Sequence, residues 1–162
     1  MTHRPRVSVL AMYSTVLLIH SWLRWLALAT ALLATVAAAR NQVAGDRSPA
    51  DRWSLFAMMA LDVQMLLGLL LYLALSPFTA EAMRNMSAAM QNPQLRFWAV
   101  EHLTTMLSAV VIAHVGRVLA RKAVTPAAKR SRLLICFGIA TVLLLLGTPW
   151  PGMANGRPLF RL

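Results

Sequence analysis

The chain has little of what disulfide scaffolds, hydrolases and soluble helical domains are built from. Only five of its 162 residues are acidic, 13% are charged, and the single cysteine, Cys136, excludes an intrachain disulfide. No Ser/His/Asp set, HExxH motif or phosphate-binding glycine loop is present, so the sequence offers no hydrolase signature. The shortage of acids leaves a net charge of +11, which raises the question of nucleic-acid binding.

The basic residues argue against nucleic acid, because they form short clusters between long apolar runs. Hydrophobic residues make up 59% of the chain, above the roughly 45–50% of soluble domains. None of the long runs has the polar stripe of a soluble amphipathic helix, and each is close to or beyond the roughly 20 residues that cross a bilayer. We therefore expect an all-α integral membrane protein: a single domain, 1–162, forming an antiparallel four-helix transmembrane bundle with spans at 16–38, 53–76, 97–120 and 133–150.

The links between the spans predict the topology. Nine basic residues lie in the first and third links, against six in the other connection and the two tails, which favours both termini in the periplasm of a bacterial inner membrane. Arg4 and Arg6 favour the opposite orientation. In the second link, residues 79–91 are predicted to form a short interfacial helix.

Two histidines are predicted to lie at matched depth in the bundle. His20 is near the start of the first span, and His102 is about one turn into the third, which begins on the same side. Each imidazole can supply one axial nitrogen to a haem iron, so the pair predicts a b-type haem clamped between two helices. Met106, Ala109 and Ala113 share the face of His102; the two alanines leave room for a flat cofactor and serve direct helix packing equally well.

Arg24 shares a face with His20 and is flanked by Trp22 and Trp25. One interpretation is an aromatic belt with a snorkelling arginine. The other is an ion pair with Asp62 of the second span, which would fix the packing of two helices, hold a haem propionate or relay protons for a quinone. We expect the Arg24–Asp62 pair inside the bundle.

Two further ionisable residues lie in the third span. His114 is about 18 Å along the helix from His102 and about 120° around it, which makes it a poor co-ligand for the same iron. It either forms hydrogen bonds near Arg117 or acts as an alternative iron ligand. Glu101 is either a hydrogen-bond acceptor for an iron ligand or a surface carboxylate.

Met83, Met86 and Met90 are spaced along one face of the predicted interfacial helix. Thioethers can bind Cu(I), which makes copper handling one hypothesis. Such a stripe is also typical of a plain apolar surface that faces the membrane.

These residues together resemble small bacterial four-helix membrane proteins labelled cytochrome-b-like. Four groups of motifs carry the resemblance over nearly the whole chain: HSWLRW at 20–25, QxLLGLxLY at 64–72, RFxxxEH at 96–102 with Met106 and AHxGR at 113–117, and PWP at 149–151. The resemblance implies haem, with His20 and His102 as axial ligands and His114 as the alternative. Val63 stands where some relatives have a histidine, so the second span is a less expected ligand donor here.

The leading hypothesis is a membrane b-type cytochrome subunit that binds haem iron and passes electrons between the quinone pool and a partner protein. The alternative is a cofactor-free accessory subunit of a larger respiratory or photosynthetic complex. This alternative requires the histidines and Arg24–Asp62 in closed hydrogen-bonded pairs, with no gap the size of a porphyrin plate.

Overall fold

The chain is helical throughout the part that the structure describes. The computed structural model covers the backbone of residues 4–45 and 47–160 and the side chains of that part from Ser8 onward, with 82% helix and no β-strand there. The side chains of Arg4, Arg6 and Arg161, which enter the topology prediction, lie outside the described residues. The helices in that part are α1 Arg4–Ala39, α2 Pro49–Leu70 followed by a π-helical turn Leu71–Leu75, α3 Pro77–Arg84, α4 Met86–Gln91, α5 Pro93–Arg96 followed by a π-helical turn Phe97–Glu101, α6 His102–Arg121 and α7 Pro126–Gly147.

Within the described residues, four helical segments are long and apolar enough to cross a membrane, as the apolar runs predict. They are Ser8–Ala39, Pro49–Leu75, Pro93–Arg121 and Pro126–Gly147. Each is at least 22 residues long, which is enough to cover a hydrocarbon core of about 30 Å. The prediction of an all-helical chain with four such helices is confirmed.

Capping residues set where two of these helices begin. α2 starts at Pro49, directly after its N-cap Ser48, whereas the span was predicted to start at residue 53. α7 starts at Pro126, directly after its N-cap Thr125, whereas the span was predicted to start at residue 133. A serine or threonine cap satisfies a free backbone N–H of the first turn, and proline at the first position needs no N–H partner. The helices therefore begin in the polar links, ahead of the apolar runs.

The four long helices form a ring of packed neighbours. α1 packs against α2 and α7, and α6 packs against the same two helices, so α1 and α6 lie diagonally across the bundle. The contacts between these helices depend on small residues. For example, a Cβ at Gly116 of α6 would clash with the side chain of Cys136 on α7. The core is correspondingly rich in alanines that are almost fully buried, namely Ala27, Ala31, Ala34, Ala57, Ala109, Ala113 and Ala140.

The second link contains two short helices over the stretch where one was predicted. Residues 79–91 fall in α3 and α4, which are separated at Asn85. The backbone of Asn85 is extended there, with φ −150° and ψ 87°, and its side chain caps α4 by accepting from the backbone N–H of Ala88. An asparagine that caps a new helix interrupts the old one, which explains the break.

The links at the opposite end of the bundle are joined by a polar network, which we call the basic end. Arg117 Nη1 donates to Ser54 Oγ at 2.7 Å and to the Asp51 carbonyl at 2.9 Å. Lys129 forms an ion pair with the Asp51 carboxylate, and the Arg130 guanidinium donates to the carbonyl of Ala38 at 3.1 Å, where α1 ends. Cations at a helix C-terminus satisfy carbonyls that lack an intrahelical partner.

Candidate cofactor site at the histidine end

His20 and His102 line the same cavity at the other end of the bundle, which we call the histidine end. The cavity has a volume of about 110 Å³ and lies where α1, α2 and α6 meet. A second cavity of about 50 Å³ adjoins it and is lined by both histidines as well. The residues that line both cavities are Leu17, His20, Gln64, Trp98, His102, Met106, Leu144 and Arg157.

The ring of His102 is oriented by the end of α7. His102 Nδ1 lies 2.8 Å from the Gly147 carbonyl oxygen, and because a carbonyl only accepts, Nδ1 carries the proton. Nε2 then presents a lone pair and has no hydrogen-bond partner among the described residues. An imidazole whose far N–H is held by a backbone carbonyl is the usual arrangement of a metal-ligating histidine.

Gly147 permits this contact because it has no side chain. A Cβ at residue 147 would clash with the Met106 Cε atom and lie 3.0 Å from Thr105 Cγ2. The glycine therefore lets the end of α7 approach α6 closely enough for its carbonyl to reach His102.

Gln64 of α2 forms hydrogen bonds to His20. The amide nitrogen of Gln64 donates to the His20 carbonyl at 3.0 Å and lies 3.2 Å from His20 Nε2. Since that nitrogen only donates, Nε2 is the acceptor and the imidazole proton is on Nδ1. His20 Nδ1 and Gln64 Oε1 are both buried without a hydrogen-bond partner in the described chain.

The position of the His20 ring depends on Gly68, one turn after Gln64. A Cβ at residue 68 would lie 3.3 Å from His20 Cε1 and 3.9 Å from His20 Nδ1. The imidazole therefore rests against the backbone of α2, where only glycine leaves it the full space.

Aromatic rings and a cation form one wall of the larger cavity. The Trp98 ring is 5.5 Å from the His102 ring in an edge-on arrangement, and its buried Nε1 has no partner among the described residues. The Arg157 guanidinium lies over the rings of Trp98 and Phe78, at 5.0 and 5.3 Å from their centroids. The sequence pattern does not point to Trp98, which is not ionisable, or to Arg157, whose place in the wall depends on how the C-terminal segment folds.

That segment, residues 148–160, folds back onto α1. The Leu159 carbonyl accepts hydrogen bonds from Arg24 Nη2 and Trp25 Nε1, both at 3.0 Å, and Phe160 packs at 5.5 Å from Trp22. The expected Arg24–Asp62 pair is therefore wrong: Arg24 lines the smaller cavity and its guanidinium reaches the C-terminal segment.

Asp62 pairs with His114 instead. His114 Nε2 lies 3.2 Å from Asp62 Oδ1, and Nδ1 lies 2.9 Å from the Val110 carbonyl, so both ring nitrogens are engaged. His114 lines neither cavity. The structure does not bring this alternative ligand to the site.

The other predicted residues divide between the site and the core. Met106 lines both cavities, whereas Ala109 and Ala113 are fully buried between helices and line neither. The two alanines therefore serve direct helix packing, which was the second of their two interpretations. Glu101 binds Arg96 at 2.6 Å on the surface.

Met83, Met86 and Met90 are exposed on α3 and α4, away from both cavities. Within the described residues no cluster of three or more His, Cys, Asp and Glu side chains has the geometry to hold a metal ion. A haem differs from such a site because it brings its own four equatorial nitrogens and needs only two axial ligands.

π-helical turns border the cavity on two sides. The turn Leu71–Leu75 ends the second span, and the turn Phe97–Glu101 immediately precedes His102. Tyr72 in the first turn donates to the Ala99 carbonyl in the second at 2.8 Å. Such turns are frequent at functional sites, since one extra residue per turn re-aims the side chains that follow.

No family model, no curated protein and no solved structure matches this chain. The assignment of a function therefore depends on the geometry of the histidine end.

Proposed function

We propose that the chain is a multi-pass protein of the bacterial cytoplasmic membrane, folded as an antiparallel four-helix bundle with both termini in the periplasm. The contacts support the antiparallel order: His102 at the start of α6 meets Gly147 at the end of α7, and Arg130 near the start of α7 donates to the Ala38 carbonyl at the end of α1. The excess of basic residues in the first and third links supports the orientation.

We further propose that the histidine end binds b-type haem, with His20 and His102 as the axial ligands. The observation that carries this proposal is the pair of imidazoles on diagonally opposed helices that line one cavity, each with an unprotonated Nε2. His102 Nε2 has no partner in the described chain, and His20 Nε2 accepts only from the Gln64 amide. The donor set therefore fits a haem iron, which when bound would supply one-electron redox chemistry.

The cavity is smaller than a porphyrin. Its 110 Å³ is below the roughly 150 Å³ of a cavity that holds benzene. Binding therefore requires that the lining side chains separate and that Gln64 leave His20 Nε2. A variant of Gln64 tests whether its amide must be displaced before the ligand binds.

The role that this site serves best is electron transfer between the quinone pool and a partner redox protein. The wall of the cavities is largely apolar, the Gly147 carbonyl orients the His102 imidazole, and the cationic side chains of Arg24 and Arg157 lie beside the histidines in the smaller cavity. Held by both His20 and His102, a haem would supply one-electron transfer chemistry here.

A cofactor-free accessory subunit of a larger complex is the second candidate. The closed pair His114–Asp62 and the Arg24–Leu159 contact favour it. It leaves unexplained why three buried polar atoms at one cavity, His20 Nδ1, Gln64 Oε1 and Trp98 Nε1, have no partner among the described residues. Buried polar groups normally have one, so these atoms favour a ligand or ordered water.

A reduced-minus-oxidised absorbance spectrum of the purified protein tests the proposal. We expect a haem b spectrum in the wild type, its loss in His20→Ala and His102→Ala, and its retention in His114→Ala, because His114 lines neither cavity. A folded, colourless wild type that takes up no added haem would contradict haem binding and favour the accessory subunit.

A further inference from the structure

Arg157 is a cation in the wall of the site, and it has no acidic partner among the described residues. Its side chain is half-buried and lines both cavities. The ion pairs of the described residues are Arg96–Glu101, His114–Asp62 and Lys129–Asp51, and none of them includes Arg157. In the part of the chain that the structure describes, its guanidinium lies against the faces of Trp98 and Phe78.

Aromatic faces hold a guanidinium in place without using its hydrogen-bond donors. A cation over an aromatic ring is attracted by the electrons of that face, and the five N–H groups at the guanidinium edge remain for another ligand. The planar edge of an arginine matches the two oxygens of a carboxylate. Arg157 is thus oriented and still able to bind an anion.

The backbone around Arg157 is also fixed. The Arg157 N–H donates to the Pro149 carbonyl at 3.0 Å, and the Gly156 N–H donates to the Met153 carbonyl at 2.8 Å. A Cβ at Gly156 would lie 2.5 Å from the Trp150 carbonyl oxygen, so this turn requires glycine. The turn and the Leu159 contacts to α1 hold Arg157 at the cavity.

We propose that Arg157 binds a carboxylate of the ligand held between His20 and His102. On the proposed function, which this inference requires, that group is a propionate of the haem. Arg24 lines the smaller cavity with Arg157, so the two guanidinium groups give this side of the site a positive potential. An anionic substituent would therefore lie toward residues 148–160.

Two forms of the same haem test the assignment. Protein purified in detergent from haem-limited cells is titrated with protohaem, which has two free carboxylates, and with its dimethyl ester, which has none. We expect the wild type to bind the ester roughly tenfold or more weakly, because a charged hydrogen bond is lost. In Arg157→Gln, protohaem binding weakens by a similar factor and the preference for the free acid shrinks.

Two variants control the comparison. Arg157→Lys keeps the charge and should keep part of the preference. Arg96→Gln removes a cation that pairs with Glu101 on the surface and lines neither cavity. This variant should keep the full preference for the free acid over the ester.

Equal binding of acid and ester by the wild type would overturn the role of Arg157 while leaving haem binding in place. An unchanged preference in a folded Arg157→Gln would overturn it as well. Failure of the wild type to bind either compound would overturn the proposed function itself.

Discussion

The two ends of the bundle use similar polar residues in opposite ways. At the basic end, the polar groups of Arg117, Ser54 and Asp51 bind one another or a helix terminus, and none of these residues has a buried side-chain atom without a partner. At the histidine end, His20, Gln64 and Trp98 each have such an atom. Because an unpaired buried group costs about 1–3 kcal/mol, the contrast supports our proposal that the basic end serves structure and the histidine end binds a ligand.

Disrupting the basic end should give the largest change in stability. Arg117→Met removes the hydrogen bonds to Ser54 Oγ and the Asp51 carbonyl, and we expect the free energy of unfolding to fall by about 1–3 kcal/mol. Unfolding in mixed detergent micelles measures the loss, with the exposed Arg121→Met as control. Haem affinity should stay unchanged; a parallel fall in affinity would mean that the two ends are not independent.

Filling the space beside His20 should change binding without loss of stability. In Gly68→Ala the new Cβ would lie 3.3 Å from His20 Cε1, so the ring must shift by a few tenths of an ångström. Haem affinity should fall roughly tenfold, the lower range for groups that orient a metal ligand, while the higher helix propensity of alanine maintains stability.

Gly138→Ala is the matched control for this substitution. It also adds a methyl group inside a long helix, but its nearest neighbour, Thr35 Cγ2, would be 3.8 Å away, an ordinary contact. Equal effects of the two substitutions on haem affinity would show that the His20 ring is not the cause.

Removing the amide that faces His20 Nε2 should raise haem affinity, and this change should be the smallest of the three. Gln64→Leu deletes the donor that a metal must displace, and a net hydrogen bond of about 0.5–1.5 kcal/mol corresponds to roughly two- to tenfold tighter binding. Haem titration of the purified variant measures it. Weaker binding would indicate that Gln64 contacts the ligand directly.

The sequence predicts the coarse fold because hydrophobicity alone specifies four long apolar helices. The hydrophobic runs by themselves do not show where α2 and α7 begin, since Ser48 and Thr125 cap these helices inside the polar links. Nor does periodicity predict the break at Asn85, which depends on a side-chain cap.

At the site, depth along the helices predicts that His20 and His102 approach each other, and both line one cavity. That Arg24 and Asp62 both lie in apolar runs predicts a pair between them, but Arg24 donates to the backbone carbonyl of Leu159 and Asp62 pairs with His114. Arg157 reaches the site through a chain reversal after α7, and helical periodicity carries no information about such a reversal.

The central claim is that His20 and His102 jointly hold one ligand, and pulsed electron paramagnetic resonance of the oxidised protein tests it most directly. With ¹⁵N-labelled histidine, we predict a low-spin ferric haem coupled to two histidine nitrogens in the wild type, and no such signal in His20→Ala or His102→Ala, which lose the haem. A haem coupled to a single histidine in the wild type, or unchanged in both variants, would contradict the claim.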